Sequence, residues 1–170
     1  GAWIWTKDDS GNWTEYDLSK TSGANGNYGH SCSISTDGTT ALIAGHSSTS
    51  SGGAWIWTKD DSGNWTEYDL SKTSSANGYY GHSCSLSADG RTALIAGYST
   101  TSSGGAWIWT KDDSGNWTEY DLSKTSANGR YGNSCSLSAD GTTALIAGFN
   151  HTSSGGAWIW TKDDSGNWTE

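Results

Sequence analysis

The sequence predicts an all-β protein, a β-propeller-like tandem array of four-stranded antiparallel blades with about three and a half blades present. Three observations predict this. The segment GAWIWTKDDSGNWTEYDLSKTS begins at Gly1, returns unchanged at Gly53 and Gly105, and starts again at Gly156, to run as far as Glu170. A repeat of about 50 residues is the mark of a solenoid, propeller or array. Within each repeat the apolar residues alternate with period two, and turn-forming pairs punctuate them at short intervals. No stretch shows a helical period.

Ala2 to Thr6 alternates, Trp3 and Trp5 on one face and Ala2, Ile4 and Thr6 on the other, and its aromatic and β-branched content makes it a strand. Both tryptophans are expected in the core. KDDSGN is turn chemistry, because Gly and Asn tolerate positive φ. Trp13 to Leu18 then closes a hairpin, and Glu15 and Asp17 on one face mark it as an edge strand whose charges discourage further pairing. A loop with its corner at Asn25-Gly26 leads to a third strand, Tyr28 to Ser35. Asp37-Gly38 predicts a two-residue hairpin turn, repeated at Asp89-Gly90 and Asp140-Gly141. Thr40 to Ala44 is a continuous apolar run, the pattern of a strand buried on both faces. Four antiparallel strands in about 50 residues fit a propeller blade better than a β-helix coil.

Composition narrows the setting. The net charge of -9 recurs repeat by repeat, with Asp8, Asp9, Glu15, Asp17 and Asp37 set against Lys7 and Lys20 in the first. Such a surface repels phosphate, so nucleic acid is not an expected partner. No apolar run is long enough to span a bilayer as a helix, and no membrane insertion is expected. Only 32% of residues are hydrophobic, but 12 tryptophans and 8 tyrosines supply the apolar area that a core needs. Cys32, Cys84 and Cys135 take one equivalent in-strand position per repeat. They are expected to be reduced, buried and too far apart for a disulfide.

Tyr28-Gly29-His30-Ser31-Cys32-Ser33-Ile34-Ser35, Asp37-Gly38, Ala41-Leu42-Ile43-Ala44-Gly45 and Gly53-Ala54-Trp55-Ile56-Trp57 together resemble the FG-GAP repeat of integrin alpha-chain propellers and many secreted proteins. Tyr-Gly stands where that family has Phe-Gly, and Ile-Ala-Gly where it has Gly-Ala-Pro. The resemblance implies a strand order with Tyr28–Ser35 innermost, then Thr40–Ala44, Gly53–Thr58 and Trp65–Leu70. On that phase the chain divides into an outer half-blade and loop at 1–27, and blades at 28–79, 80–130 and 131–170. The family's propellers close with about seven blades. Both ends fall inside the repeat, so a longer chain or assembly is expected to complete the structure, as a closed propeller or a filament.

The resemblance also implies a calcium loop, DxDxDG, between the two inner strands, but this chain has a single acid there, Asp37. One carboxylate cannot supply six to eight oxygens, and neither a metal nor a cofactor is expected. The pair Asp8-Asp9 and its copies read as solvated turns. His30 and His82 become Asn133 in the third repeat, and His46 becomes Tyr98 and then Phe149. No repeat carries a nucleophile, base and orienting acid together, so no catalytic residue is expected and the histidines read as structural. N-glycosylation sequons stand at Asn12, Asn64, Asn116 and Asn167, with another at Asn150. The Ser/Thr-rich connections are candidates for O-linked sugar or plain linkers.

These features predict an extracellular structural or adhesive repeat protein, secreted or at the cell surface, part of a surface array or fibre. Its expected partners are other copies or adjacent repeats, joined head to tail. A glycan-binding propeller lectin is the alternative, since Trp and Tyr beside Asp and Asn are what sugar pockets use. The in-strand position of Trp3 and Trp5 weighs against it.

Overall fold

A computed structural model describes residues 1–20, 27–47, 52–71, 79–99, 104–124, 130–149 and 155–170. The Asn25-Gly26 corner, the Asn150 sequon and most of the Ser/Thr-rich connections lie outside these residues.

The first two strands, β1 (Trp3–Lys7) and β2 (Trp13–Asp17), form a two-stranded hairpin. Three four-stranded antiparallel sheets follow in chain order. The first contains β3 (Ser31–Ile34), β4 (Thr40–Gly45), β5 (Gly53–Lys59) and β6 (Trp65–Asp69). The second contains β7 (Ser83–Leu86), β8 (Thr92–Gly97), β9 (Gly105–Lys111) and β10 (Trp117–Asp121). The third contains β11 (Ser134–Leu137), β12 (Thr143–Gly148), β13 (Gly156–Lys162) and β14 (Trp168–Thr169). Sequence neighbours pair throughout, so each sheet is a meander, and β6 and β10 lie at sheet edges as their Glu and Asp residues predict. The array is therefore one of tandem antiparallel blades preceded by a half-blade.

Blades stack face to face through two unlike surfaces. One is aliphatic: Leu42, Ala44, Ala54, Ile56 and Leu70 in the first full blade. It packs on the aromatic surface of the next blade, made by Tyr80, Cys84, Leu86, Trp107 and Trp117. Leu94, Ala96, Ala106, Ile108 and Leu122 meet Tyr131, Leu137, Ile146, Trp158 and Trp160 in the same way. The half-blade supplies Ile4 and Leu18 to the first full blade. β4 and β8 are buried along their whole length because they have a blade on either side; β12 is covered on one face only.

Two polar devices tie neighbours together. The Tyr80 hydroxyl donates to the Leu70 carbonyl of the preceding blade at 2.8 Å and accepts from Trp109 Nε1 at 3.2 Å. Tyr28 and Tyr131 repeat the arrangement with Leu18 and Trp57, and with Leu122 and Trp160. Each tyrosine ring also stands edge-on to a tryptophan, Trp55, Trp107 or Trp158, at 5.0 Å. On the inner strands, Ser31 and Ser33 Oγ accept from the backbone N–H of Cys84 and Leu86 at 3.1 and 3.0 Å. Ser83 and Ser85 do the same for Cys135 and Leu137. Short hydroxyl side chains here satisfy an inner-strand edge that no fifth strand covers.

Several expectations need correction. The inner strand starts at Ser31, not Tyr28. Gly29 has φ +85° and His30 N–H donates to the Asn27 carbonyl, so residues 27–30 form a tight turn that aims Tyr28 at the preceding blade. The Asp-Gly corner is a four-residue loop rather than a two-residue turn. Ser35 N–H donates to the Thr40 carbonyl, Gly38 N–H returns to the Ser35 carbonyl, and Asp37 Oδ1 accepts from Ser35 Oγ and Thr39 N–H. Trp3 and Trp5 are 58% and 55% exposed, although Trp55 and Trp107 at the position of Trp3 are buried and Trp57 and Trp109 at that of Trp5 are half-buried. Cys32 is exposed, whereas Cys84 is buried. Of these three exceptions to burial, Trp3 and Trp5, with Trp13, sit on an aromatic surface that faces no blade, and Cys32, with Ile34, faces the half-blade where it has no inner hairpin.

Candidate functional site

Two regions stand apart from the repeated framework. The first is the pair of open end surfaces. At the N-terminal end the half-blade presents Trp3, Trp5 and Trp13 to solvent. Beside them a groove runs between β1 and the first full blade, lined by Trp3, Ile4, Trp5, Cys32, Ile34 and Ile43. In every full blade that space holds an inner hairpin; the half-blade has none, and β1 pairs only with β2. At the C-terminal end Leu145 and Ile159 are 42% and 58% exposed, although Leu42, Leu94, Ile56 and Ile108 are wholly buried. The two open surfaces are thus opposite halves of the contact already made between blades.

The second region is a ledge where the inner hairpins begin and end. Asn27 N–H donates to the His46 carbonyl, Tyr79 N–H to that of Tyr98 and Arg130 N–H to that of Phe149, so these positions are fixed side by side. Most of each repeat is copied unchanged, yet here the copies differ: Asn27, Tyr79 and Arg130; His30, His82 and Asn133; His46, Tyr98 and Phe149. His30 and His46 rings lie 4.4 Å apart, His30 and His82 5.0 Å, and His46 and His82 5.1 Å. Tyr79 and Tyr98 stack at 4.8 Å next to them, and the Arg130 guanidinium covers both Tyr98 and Phe149 at 5.0 Å. Burial, reinforced by His30 and His46, lowers the His82 imidazole to about 4, and burial with His30 also lowers His46. Sequence reading saw the histidines but not that two repeats bring them together; the visible signal was the clustering of repeat-to-repeat differences.

The sequon residues Asn12, Asn64, Asn116 and Asn167 are all exposed at corners of the outer hairpins. Each holds its turn closed. Asn12 donates its backbone N–H and its Nδ2 to the Asp8 carboxylate at 2.8 and 3.0 Å. Asp60, Asp112 and Asp163 receive Asn64, Asn116 and Asn167 in the same way. These bonds hold all four carboxyls below the usual range. The turns also need Gly11 and its copies, at φ near +88°.

The thiols carry no bridge. Burial pushes Cys84 and Cys135 up to about 12, and the half-buried Cys135 turns its sulfur inward to Ser83 Oγ at 3.3 Å. No nucleophile, base and acid converge among the described residues.

No protein-family model and no curated protein matches the chain. Among solved structures it is similar to a fucose lectin from Kordia zhangzhouensis, determined with methyl-fucoside. That match has 14% identity and a TM-score of 0.47, over 81% of this chain and 95% of the other. It is also similar to TolB from Acinetobacter baumannii, with 16% identity, a TM-score of 0.40, and 81% and 30% coverage.

Proposed function

We propose that this is an extracellular structural or adhesive repeat protein that assembles end to end with further copies of itself. The observation that carries the reading is the match between its ends. The open Trp3, Trp5 and Trp13 surface is the counterpart of Trp107, Trp109 and Trp117, which pack against Ile56 inside the array. The open Leu145 and Ile159 surface is the counterpart of Leu94 and Ile108, which pack against Trp158 and Trp160. Each open surface would take the opposite kind of surface, supplied by a second copy or by an adjacent repeat. Such a contact is heterologous and propagates, into a ring or a filament according to its rotation. Charged outer strands and exposed Asn12, Asn64 and Asn116 would keep the sides from aggregating, with or without sugar.

Sedimentation velocity across a concentration series tests this. The unaltered chain should form species larger than the monomer. Trp5→Asp and Ile159→Asp, each with a charge at one end, should both remain monomeric. An equimolar mixture of the two variants retains one intact pair of ends, so it should form a dimer and stop there. A chain that stays monomeric at all concentrations, or a mixture that stays monomeric, would overturn the proposal.

A further inference from the structure

We propose that His30, His46 and His82 form a binding site for a divalent transition metal of zinc type, held between two successive blades. It is independent of the end-to-end reading. One nitrogen from each imidazole lies within 4.8 Å of the others. Zinc–nitrogen bonds of about 2.0–2.1 Å place tetrahedral ligand atoms about 3.4 Å apart. The trio is therefore slightly open, and exposed His30 is free to rotate inward. Three imidazoles and an open fourth position are a known ligand arrangement for zinc.

A second observation points the same way. His46 Nδ1 and His82 Nδ1 are both buried without a hydrogen-bond partner. Leaving such an atom unsatisfied is costly, and a metal ion would satisfy it. Ring packing alone does not require imidazole here. Tyr98 and Phe149 stand at the position of His46 and stack with Tyr79 and Arg130. The backbone framework is the same at each blade, so the chemistry of this one junction comes from its side chains. In the next junction the third histidine position is Asn133, and Arg130 brings a fixed cation over the ledge. Among the described residues a metal is thus expected at one junction, between the first and second full blades. The net charge of -9 favours its approach.

Titration of the full chain with zinc chloride by calorimetry should show one equivalent bound with micromolar affinity or better. Cobalt(II) should add visible absorption of the intensity that low-symmetry, four-coordinate sites give. His30→Gln and His82→Gln should each weaken zinc at least tenfold, and Asn133→Gln should leave it unchanged. His30 is on the surface, so its variant keeps the fold, which far-ultraviolet circular dichroism verifies. Absence of zinc binding, or zinc binding that His30→Gln leaves intact, would overturn the assignment; the latter would place the metal on the acidic turns instead.

Discussion

At the residue scale, Tyr80 shows how one hydroxyl can hold two blades. It satisfies a carbonyl of the preceding blade and an indole N–H of its own, and it is fully buried. Tyr80→Phe removes the oxygen but not the ring, leaving both partners unsatisfied. Its expected cost is about 1–3 kcal/mol, read as a lower urea midpoint with an unchanged slope. Tyr28→Phe should cost less, because Tyr28 is only half-buried. The same burial predicts an alkaline limit to stability. Cys84 and Cys135 rise from 9.0 to about 12, Tyr28 from 10.0 to about 12, and Tyr80 and Tyr131 also rise. Above pH 9 the unfolded chain loses protons that the folded chain keeps, so stability is full below that pH and falls as pH rises towards 12. Chemical denaturation at pH 7, 9 and 10.5 should show a flat step and then a fall. A thiol reagent at pH 8 should label Cys32 at once, and Cys84 and Cys135 only after unfolding.

At the element scale the inner strands are the unusual part. Their serines act as a substitute for a neighbouring strand, and Ser85→Ala should cost about 1–3 kcal/mol by orphaning the Leu137 N–H. Ser136→Ala, at the equivalent but exposed position in the last blade, should change stability by under about 0.5 kcal/mol. Equilibrium denaturation of the pair measures the difference directly. The strands themselves were legible in the sequence, because period-two patterning around Trp3–Trp5 and the apolar TALIAG run are local properties. The serine ladder was not, since SCS reads equally well as a plain edge. Nor did the pattern reveal that Tyr28 precedes the strand: Gly29 bends the chain there through a contact between blades. The histidine ledge escaped for the same reason, as it joins residues 52 positions apart (His30 and His82).

At the scale of the whole molecule, the proposed end-to-end association has a salt dependence of definite sign. Association would bury tryptophan and isoleucine while bringing together two chains of charge -9. Screening should therefore strengthen it. Sedimentation equilibrium should show tighter association as sodium chloride rises from ~10 mM to ~0.3 M, where the Debye length has fallen to a few ångströms; contacts held by ion pairs would weaken instead. The uniformity of the blade contacts has a consequence for how the chain reaches this state. Because the outer hairpin is the same text in every repeat, its surfaces carry no address. A hairpin such as β5–β6 meets an equally good seat one blade too early, one too late, or on another molecule. Refolding yield should therefore fall with protein concentration, and exchanged-hairpin dimers should accumulate. The ledge, where the side chains of successive copies differ most, is what labels one junction from the next.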